Sequence, residues 1–470
     1  FQALATKAKR EQAQGPFRRE IARLARSLTD DEAEGGIEAS PEDGIEVGVT
    51  ALIGAVAGMP VYRTYVAPAE GLVADADRRA IDEAGMPTAV AQRLTLERPA
   101  PAEFVTRFQQ TTPPVVAKGV EDTAFYRYNR LVSLNEVGAE PDLLGPAVED
   151  FHRHNALAAA RWPNRMITLA THDTKRAPDV RARLNVLSEL PSPWHGAVTR
   201  WSAHNDRYRR GRFPDRNAEY LLYQTLLGAW PIGPERTWGY MQKAIKEAKV
   251  HTSWTDPVAE YDQAVQGFVT DILADERFVA DLTAFMAEQG IVEAGRTNAL
   301  AQTALLLTAP GSPDLYQGTE LWDHSLVDPD NRRPVDYGRR RALLAKLRQA
   351  GPAEALAHHD DGGSKLWLIQ RLLAHRRRCR DLYGPDSGYQ PLTAQGTKAS
   401  HLVAFARGGG LAVVIPRLVA GLHGWDDTSV NLPLGRWVDI ATGAAFAGGA
   451  VPVADLLAQF PVAVLEDQGR

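Results

Sequence analysis

Apolar residues at Ile45, Val49, Leu52, Ile53 and Val56 recur at helical spacing. Ser40 before Pro41, with Asp43 at the third helical position, predicts the start of that helix: a Ser oxygen caps free amides, and Pro loses nothing at the first position. Gly58 predicts its end. After Pro60 the pattern changes to Val61-Tyr62-Arg63-Thr64-Tyr65-Val66, β-branched and aromatic, which predicts a strand. A second strand is expected over 165–171 (RMITLAT), ending in His172-Asp173-Thr174-Lys175 ahead of a helix over 179–190. A third unit is a helix over 298–308, then Gly311-Ser312-Pro313 and a short strand over 314–316. Helices alternate with single strands and no hairpin signal lies between them, so a parallel α/β arrangement is implied. In barrels of that kind the chemistry sits at the C-terminal ends of the strands.

The intervals between these strands far exceed the ~2–6 residues of ordinary βα connections, so inserted subdomains are expected at about 73–160 and 191–295. Both carry helical periodicity, as in Tyr220, Leu221, Tyr223, Gln224 and Leu227, and again in Met241, Ile245 and Lys249. The pattern changes once more over 385–470. Runs at 401–407 and 411–416 flank Gly408-Gly409-Gly410, and β signals continue at Trp437-Val438-Asp439, Pro452-Val453 and Val462-Ala463-Val464. An antiparallel β domain is predicted there. The Arg376-Arg377-Arg378 run lies at the polar end of an amphipathic helix and reads as a solvated face.

Composition narrows the function classes. At 470 residues, 44% hydrophobic and 24% charged, the chain can bury a large core. Its 58 acidic against 53 basic residues leave a net charge of −5, which argues against a nucleic-acid partner. No apolar run approaches the ~20 residues that span a bilayer, so no membrane role is expected. The lone thiol, Cys379, excludes an internal disulfide and a multi-cysteine metal site, and fits a reducing cytoplasm. Phe1–Arg10 has neither an initiator Met nor a signal-peptide pattern and reads as the middle of a charged helix, so the chain is expected to start inside a longer protein. Of the basic residues only 10 are Lys against 43 Arg, which makes each Lys the more informative choice.

Two stretches could carry chemistry. His172-Asp173 with Lys175 at a strand end admits two readings: Asp173 as a cap for the following helix, or an imidazole and a carboxylate facing a barrel mouth. The stretch 118–129 (KGVEDTAFYRYN) combines charges with aromatic rings. That combination suits a sugar, whose hydroxyls need donors and acceptors while its CH faces stack on rings; rings in the core with charges at the surface would look the same. Trp162, Trp201, Trp230, Trp238 and Trp254 read mostly as core. His152 and His154 are too far from carboxylates or thiols to suggest a metal, and neither a phosphate-binding Gly-rich loop nor a Gly-x-Ser-x-Gly elbow occurs. No cofactor or metal is called for.

Five segments in order, VYRTYV (61–66), KGVEDTAFYRYN (118–129), LATHDTKR (169–176), KEAKVHTSW (246–254) and GSPDLYQGTELWDHSLVDPDNRRPVDY (311–337), resemble the maltooligosyl trehalose synthases of the α-amylase superfamily. The resemblance implies the C-terminal part of an amylase-like (β/α)8 barrel over 1–350, with the helical insertions above and the β domain after it. It implies a cytoplasmic intramolecular transferase that turns the reducing-end α-1,4 link of a maltooligosaccharide into an α,α-1,1 link. By this likeness Asp173 is the third superfamily carboxylate, stabilising the oxocarbenium-like transition state, and His172 bonds the same sugar. Lys175, Lys118, Glu121, Tyr126, Tyr128 and Tyr65 would line the substrate pocket, while Asp314 and Glu320 would be structural. A trehalohydrolase acting on the product is the implied functional partner.

One departure is large. Retaining glycosidases also need a nucleophile and an acid/base ~5–5.5 Å apart. The superfamily places the nucleophile in an Arg-x-Asp triple, and none occurs in this sequence. Both groups are therefore expected in an N-terminal half of the same enzyme. The rival expectations are another superfamily hydrolase or transferase, and a non-catalytic α-glucan-binding chain.

Overall fold

The computed structural model describes residues 1–32, 41–99, 101–143, 145 and 147–469, with no side-chain detail over 28–47. The predicted capping residue Ser40 lies outside the described residues; the helix it was expected to start runs over Pro41–Gly58. Two compact units divide the chain: 1–130 with 242–262, and 131–241 with 263–470.

The first unit is helical. Helices Gln2–Gln14, Arg18–Glu32, Pro41–Gly58 and Ala102–Gly119 enclose a core that includes Ile21, Leu24, Leu52, Val56, Phe104, Phe108 and Val115. Gly119 ends the last of these helices, where a Cβ would stand 2.7 Å from Lys9 Cα; only glycine allows that approach. Lys9 is buried there, its Nζ donates to Met59 O at 2.7 Å, and burial lowers its pKa to about 8.

The strand predicted over 61–66 does not form. Its backbone is satisfied by side chains instead of a neighbouring strand. Tyr65 N donates to Asp77 Oδ1 at 2.7 Å, Val66 N donates to Gln109 Oε1 at 2.7 Å, and Gln109 Nε2 donates back to Val66 O at 2.9 Å. An extended β-branched segment needs partners for its amides, and here helices supply them.

In the second unit, strands β1 (Met166–Thr168) and β2 (Ser312–Asp314) pair in parallel, with Ile167 opposite Pro313. Gly311 leads into β2 with φ of 135°, and a Cβ on it would lie 2.7 Å from Arg165 O, so the close pairing depends on glycine. Strand β1 is shorter than the predicted 165–171, and β2 lies two residues earlier than the predicted 314–316. The helix expected over 179–190 is Pro178–Asn185 continued by a 3-10 turn over Val186–Glu189. Helices Arg216–Ala229 and Ile291–Thr308 appear where the periodicity placed them, as does Pro234–Ala248, whose residues from 242 onward belong to the first unit. Trp194, Trp201, Tyr223, Phe278 and Phe285 pack ring against ring, so Trp201 is core as read. Trp162 and Trp254 are instead exposed.

The C-terminal sheet is antiparallel throughout. Its strands are β3 (Gln390–Pro391), β4 (Ala394–Gln395), β5 (Leu402–Arg407), β6 (Leu411–Pro416), β7 (Ser429–Asp439), β8 (Ala445–Pro452) and β9 (Ala463–Asp467). They run in the order β3-β5-β6-β9-β7-β4, with β8 on β7. Along β5, Val403 and Phe405 join the core shared with helices Ile291–Thr308 and Gly363–Arg378, while Leu402, Ala404 and Ala406 join a second core with Val430, Trp437 and Leu465. The alternation explains why β5 and β6 are apolar on both faces. Buried Arg407 donates to Thr308 O at 3.0 Å and Ala309 O at 3.1 Å, tying the β5–β6 hairpin to the end of helix Ile291–Thr308. In the arginine run 376–378, Arg377 and Arg378 are exposed as read, with Arg378 pairing with Glu466, whereas Arg376 is partly buried and its NH1 bonds Leu307 O at 2.7 Å. Among the described residues no helix is long and apolar enough to cross a membrane.

Candidate active site

His172, Asp173 and Lys175 follow β1 at its C-terminal end. The turn that carries them is built by threonines. Thr171 N donates to Thr174 Oγ1 at 2.6 Å and Asp173 N donates to Thr171 Oγ1 at 3.2 Å, local side-chain bonds that hold the chain out of helix. The following helix starts only at Pro178, and its N-cap, Ala177, makes no side-chain cap. Asp173 therefore does not cap it. Its side chain is 48% exposed and accepts from Lys175 Nζ at 3.3 Å, whereas the Lys175 side chain is only 3% exposed. A buried ammonium beneath a half-exposed carboxylate fixes the carboxylate's position and charge from one side and leaves the other side open.

Glu136 anchors the same turn. Its carboxylate accepts from Lys175 N at 3.0 and 3.1 Å and from Arg176 N at 3.2 Å. Arg176 in turn donates to Val132 O at 3.1 Å and to Tyr240 Oη at 2.6 Å. The predicted Asp314 lies in β2, and Glu320 pairs with Arg340 at 2.8 Å. The segment that follows packs against the turn: Ala177 N donates to Ser325 O at 2.9 Å and Asn331 Nδ2 to His172 O at 3.2 Å. Arg236 grips Asp330 with two bonds of 2.8 Å, and Asp330 Oδ2 accepts from Leu326 N at 2.8 Å, so the loop 324–331 is held from below. Beside it, burial and the charge of Arg183 drop the His324 pKa to about 3, leaving a neutral ring whose Nε2 lies 2.8 Å from Arg183 NH2 as its acceptor.

Glu136, Arg176, Tyr240 and Asn331 were missed in the sequence. Glu136 is the single carboxylate in the stretch 131–137 (LVSLNEV), and its partners are backbone amides some 40 residues away, so no local spacing announces it. Glu136→Gln would turn a donor toward amides that need an acceptor. We expect a stability loss of about 1–3 kcal/mol, read as a lowered melting temperature with the loop's amide exchange accelerated.

The other predicted residues lie in the first unit. Helix Ala102–Gly119 contains Pro113 and Pro114 and continues as a single π-helical turn, Val120–Ala124. Such a turn re-aims successive side chains. Glu121 is buried and bonds Tyr62 Oη; Lys118 is exposed and pairs with Asp122 at 2.5 Å. Tyr126 is buried, and Tyr128 is partly buried with its ring 5.4 Å from that of Phe1. Tyr65 is 71% exposed, with the Arg63 guanidinium 4.6 Å from its ring centre. Lys249 Nζ donates to Asp122 O and Thr123 Oγ1, both at 3.1 Å, and the Arg127 Nε bond to Ala248 O measures 2.6 Å. Trp254 Nε1 donates to Glu247 Oε1 at 3.1 Å and leaves its ring exposed. Three of the five sequence segments, 61–66, 118–129 and 246–254, thus meet in one unit, and the other two meet in the second.

A Mycobacterium tuberculosis protein that carries the name of a maltooligosyl trehalose synthase is 42% identical over 372 residues, which is 77% of this chain and 45% of that protein. The chain is homologous to the maltooligosyl trehalose synthases. The maltooligosyltrehalose synthase structure from Arthrobacter ramosus matches 99% of the chain and 58% of its own with a TM-score of 0.82 at 36% identity. The structure of a hypothetical maltooligosyl trehalose synthase from Sulfolobus tokodaii matches the same shares with a TM-score of 0.78 at 27% identity. The amylase-like α/β fold class with its C-terminal β region, expected from the sequence, is that of these synthases. No protein-family model matches the chain. The chain spans about half the length of the synthases it matches.

Proposed function

We propose that this chain forms part of an intramolecular transferase acting on maltooligosaccharides, which converts the reducing-end α-1,4 link into an α,α-1,1 link. Asp173 is the carboxylate that favours the oxocarbenium-like transition state, and His172 bonds the same sugar. The nucleophilic Asp and the acid/base Glu come from an N-terminal half of the same enzyme. The observation that carries this reading is the half-exposed Asp173 held by buried Lys175 at the end of β1, within a chain homologous to the synthases. Lys118, Glu121, Tyr126, Tyr128 and Tyr65 take part in holding the sugar, a role that suits the exposed Lys118 and the exposed ring of Tyr65, while Glu121 and Tyr126 are buried. A trehalohydrolase would consume the product.

In the reaction the anomeric C1–O bond to the terminal glucose breaks with protonation of the leaving oxygen, and the freed glucose must return through its own C1 hydroxyl before water attacks. Product analysis from maltopentaose, with the enzyme complete, tests the proposal: non-reducing products of unchanged length support it, and shorter reducing maltodextrins as the main products refute it.

Lys175 should control the partition between those outcomes. Lys175→Met removes the buried cation behind Asp173, and a less firmly held glucose escapes. We expect the ratio of hydrolysis to rearrangement to rise several-fold. An unchanged ratio at reduced rate would show that Lys175 only supports the fold.

A further inference from the structure

Away from the β1 turn, helix Gly363–Arg378 ends against strand β9 and brings three ligand-type side chains together. His375 and Cys379 are one helical turn apart, and Glu466 comes from β9, 87 residues beyond the cysteine. One ligand atom from each of the three lies within 4.8 Å of the others. Cys379 Sγ is 3.2 Å from Glu466 Oε1, and His375 Nε2 is 3.3 Å from the same oxygen. A tetrahedral zinc site, with bonds of about 2.0–2.3 Å, sets its ligand atoms about 3.3–3.8 Å apart, so the two contacts to Glu466 are already near that spacing and the histidine and cysteine, within 4.8 Å of each other, would close on the ion.

A second feature points the same way. The His375 side chain is fully buried, and its Nε2 has no hydrogen-bond partner despite its closeness to Glu466. A buried imidazole nitrogen left without one is costly unless something else occupies its lone pair. Its other nitrogen is engaged: Nδ1 lies 2.7 Å from Tyr383 Oη, a contact that orients the ring with Nε2 toward Glu466 and Cys379. The carboxylate is likewise oriented from outside, with Arg378 NH2 on Glu466 Oε2 at 2.9 Å while Oε1 faces the histidine and cysteine. Cys379 and Glu466 are only partly buried, which gives an ion a way in.

We propose that His375 Nε2, Cys379 Sγ and Glu466 Oε1 form a binding site for a divalent zinc-type cation, with the fourth position open to water. The soft thiolate with imidazole and one carboxylate selects zinc or cobalt over magnesium or calcium. On binding, the Sγ–H bond gives way to a metal–sulfur bond and the proton leaves to solvent. The site would pin the last strand to the helix beneath it. His375 and Cys379 are four residues apart, but the third ligand is 87 residues beyond the cysteine, so spacing does not reveal this trio.

Cobalt(II) titrated into the whole expressed protein that carries these residues provides the test, alongside its Cys379→Ser variant. The expected result is one equivalent of cobalt with a thiolate-to-metal absorption band in the near ultraviolet, absent from the variant. Zinc should raise the melting temperature of the parent protein and bind the variant at least about tenfold more weakly. His375→Gln should lose the site as well, and the serine variant, which changes a partly exposed atom, keeps the comparison valid if the histidine variant does not fold. Equal absorption or equal zinc affinity in parent and Cys379→Ser would overturn the proposal.

Discussion

Asp173→Asn in the complete enzyme is expected to lower turnover of maltopentaose by at least ~100-fold while leaving the melting temperature nearly unchanged. The two halves of that expectation have separate causes. Positive charge develops on the sugar only as the glycosidic bond breaks, so a fixed carboxylate beside it acts mainly in the transition state. Asn keeps the shape and loses the charge. On the stability side, Asp173 is half-exposed and has one ion-pair contact at 3.3 Å, with Lys175, so the fold depends little on it. The turn itself is held by Thr171, Thr174 and Glu136, which the substitution does not touch. Steady-state kinetics with maltopentaose, paired with a thermal melt, decides the matter. Near-parental turnover would remove Asp173 from the transition state, and a large drop in melting temperature would show that its role is structural.

How much of this site was legible follows from where the information lies. His172-Asp173-Lys175 could be seen because the signal is local: an apolar run stops abruptly and polar groups of a scarce type follow. The parallel pairing of β1 with β2 was likewise implied by helix and strand alternation. What supports the turn was invisible, because Glu136, Tyr240 and Asn331 act across 39, 64 and 159 residues. The segment 61–66 failed in the opposite way. Its composition favours a strand, but Gln109 and Asp77 reach its amides first, and strand propensity expresses fit to a neighbouring strand that is not there. The C-terminal hairpin was legible since a glycine turn between two apolar runs needs no distant partner.

The largest effect on stability should come from Asp179→Ala. Asp179 opens the helix after the candidate site but points inward: Lys365 Nζ donates to its two oxygens at 3.0 and 2.9 Å, and Asp323 N donates to Oδ2 at 2.7 Å. Both side chains of the pair are 3% exposed. Burial raises the Asp179 pKa above the usual carboxylate value, and the Lys365 charge and the Asp323 amide work against it. Removing the carboxylate strands the ammonium, with Leu321 O at 3.4 Å as a weak remaining acceptor, and frees the Asp323 amide as well. A buried ion deprived of its partner costs about 3–5 kcal/mol, so the melting temperature should fall on the order of 5–10 °C. The charge, not the lost volume, is the cause, and a second substitution separates the two. Adding Lys365→Met to Asp179→Ala removes the stranded cation and should recover most of the loss, since apolar replacements of buried pairs are often neutral. If the double variant melts no higher than the single one, the cavity and the missing amide bond account for the effect. The pair also ties Asp323, in the segment 311–337, to the helix that follows LATHDTKR. Its loss should therefore loosen the loop whose Ser325 O holds Ala177, five residues after His172. Amide exchange at Ala177 and Asp323 should accelerate in Asp179→Ala and return toward the parental rate at Ala177 in the double variant, where the loop no longer gives way around a buried charge.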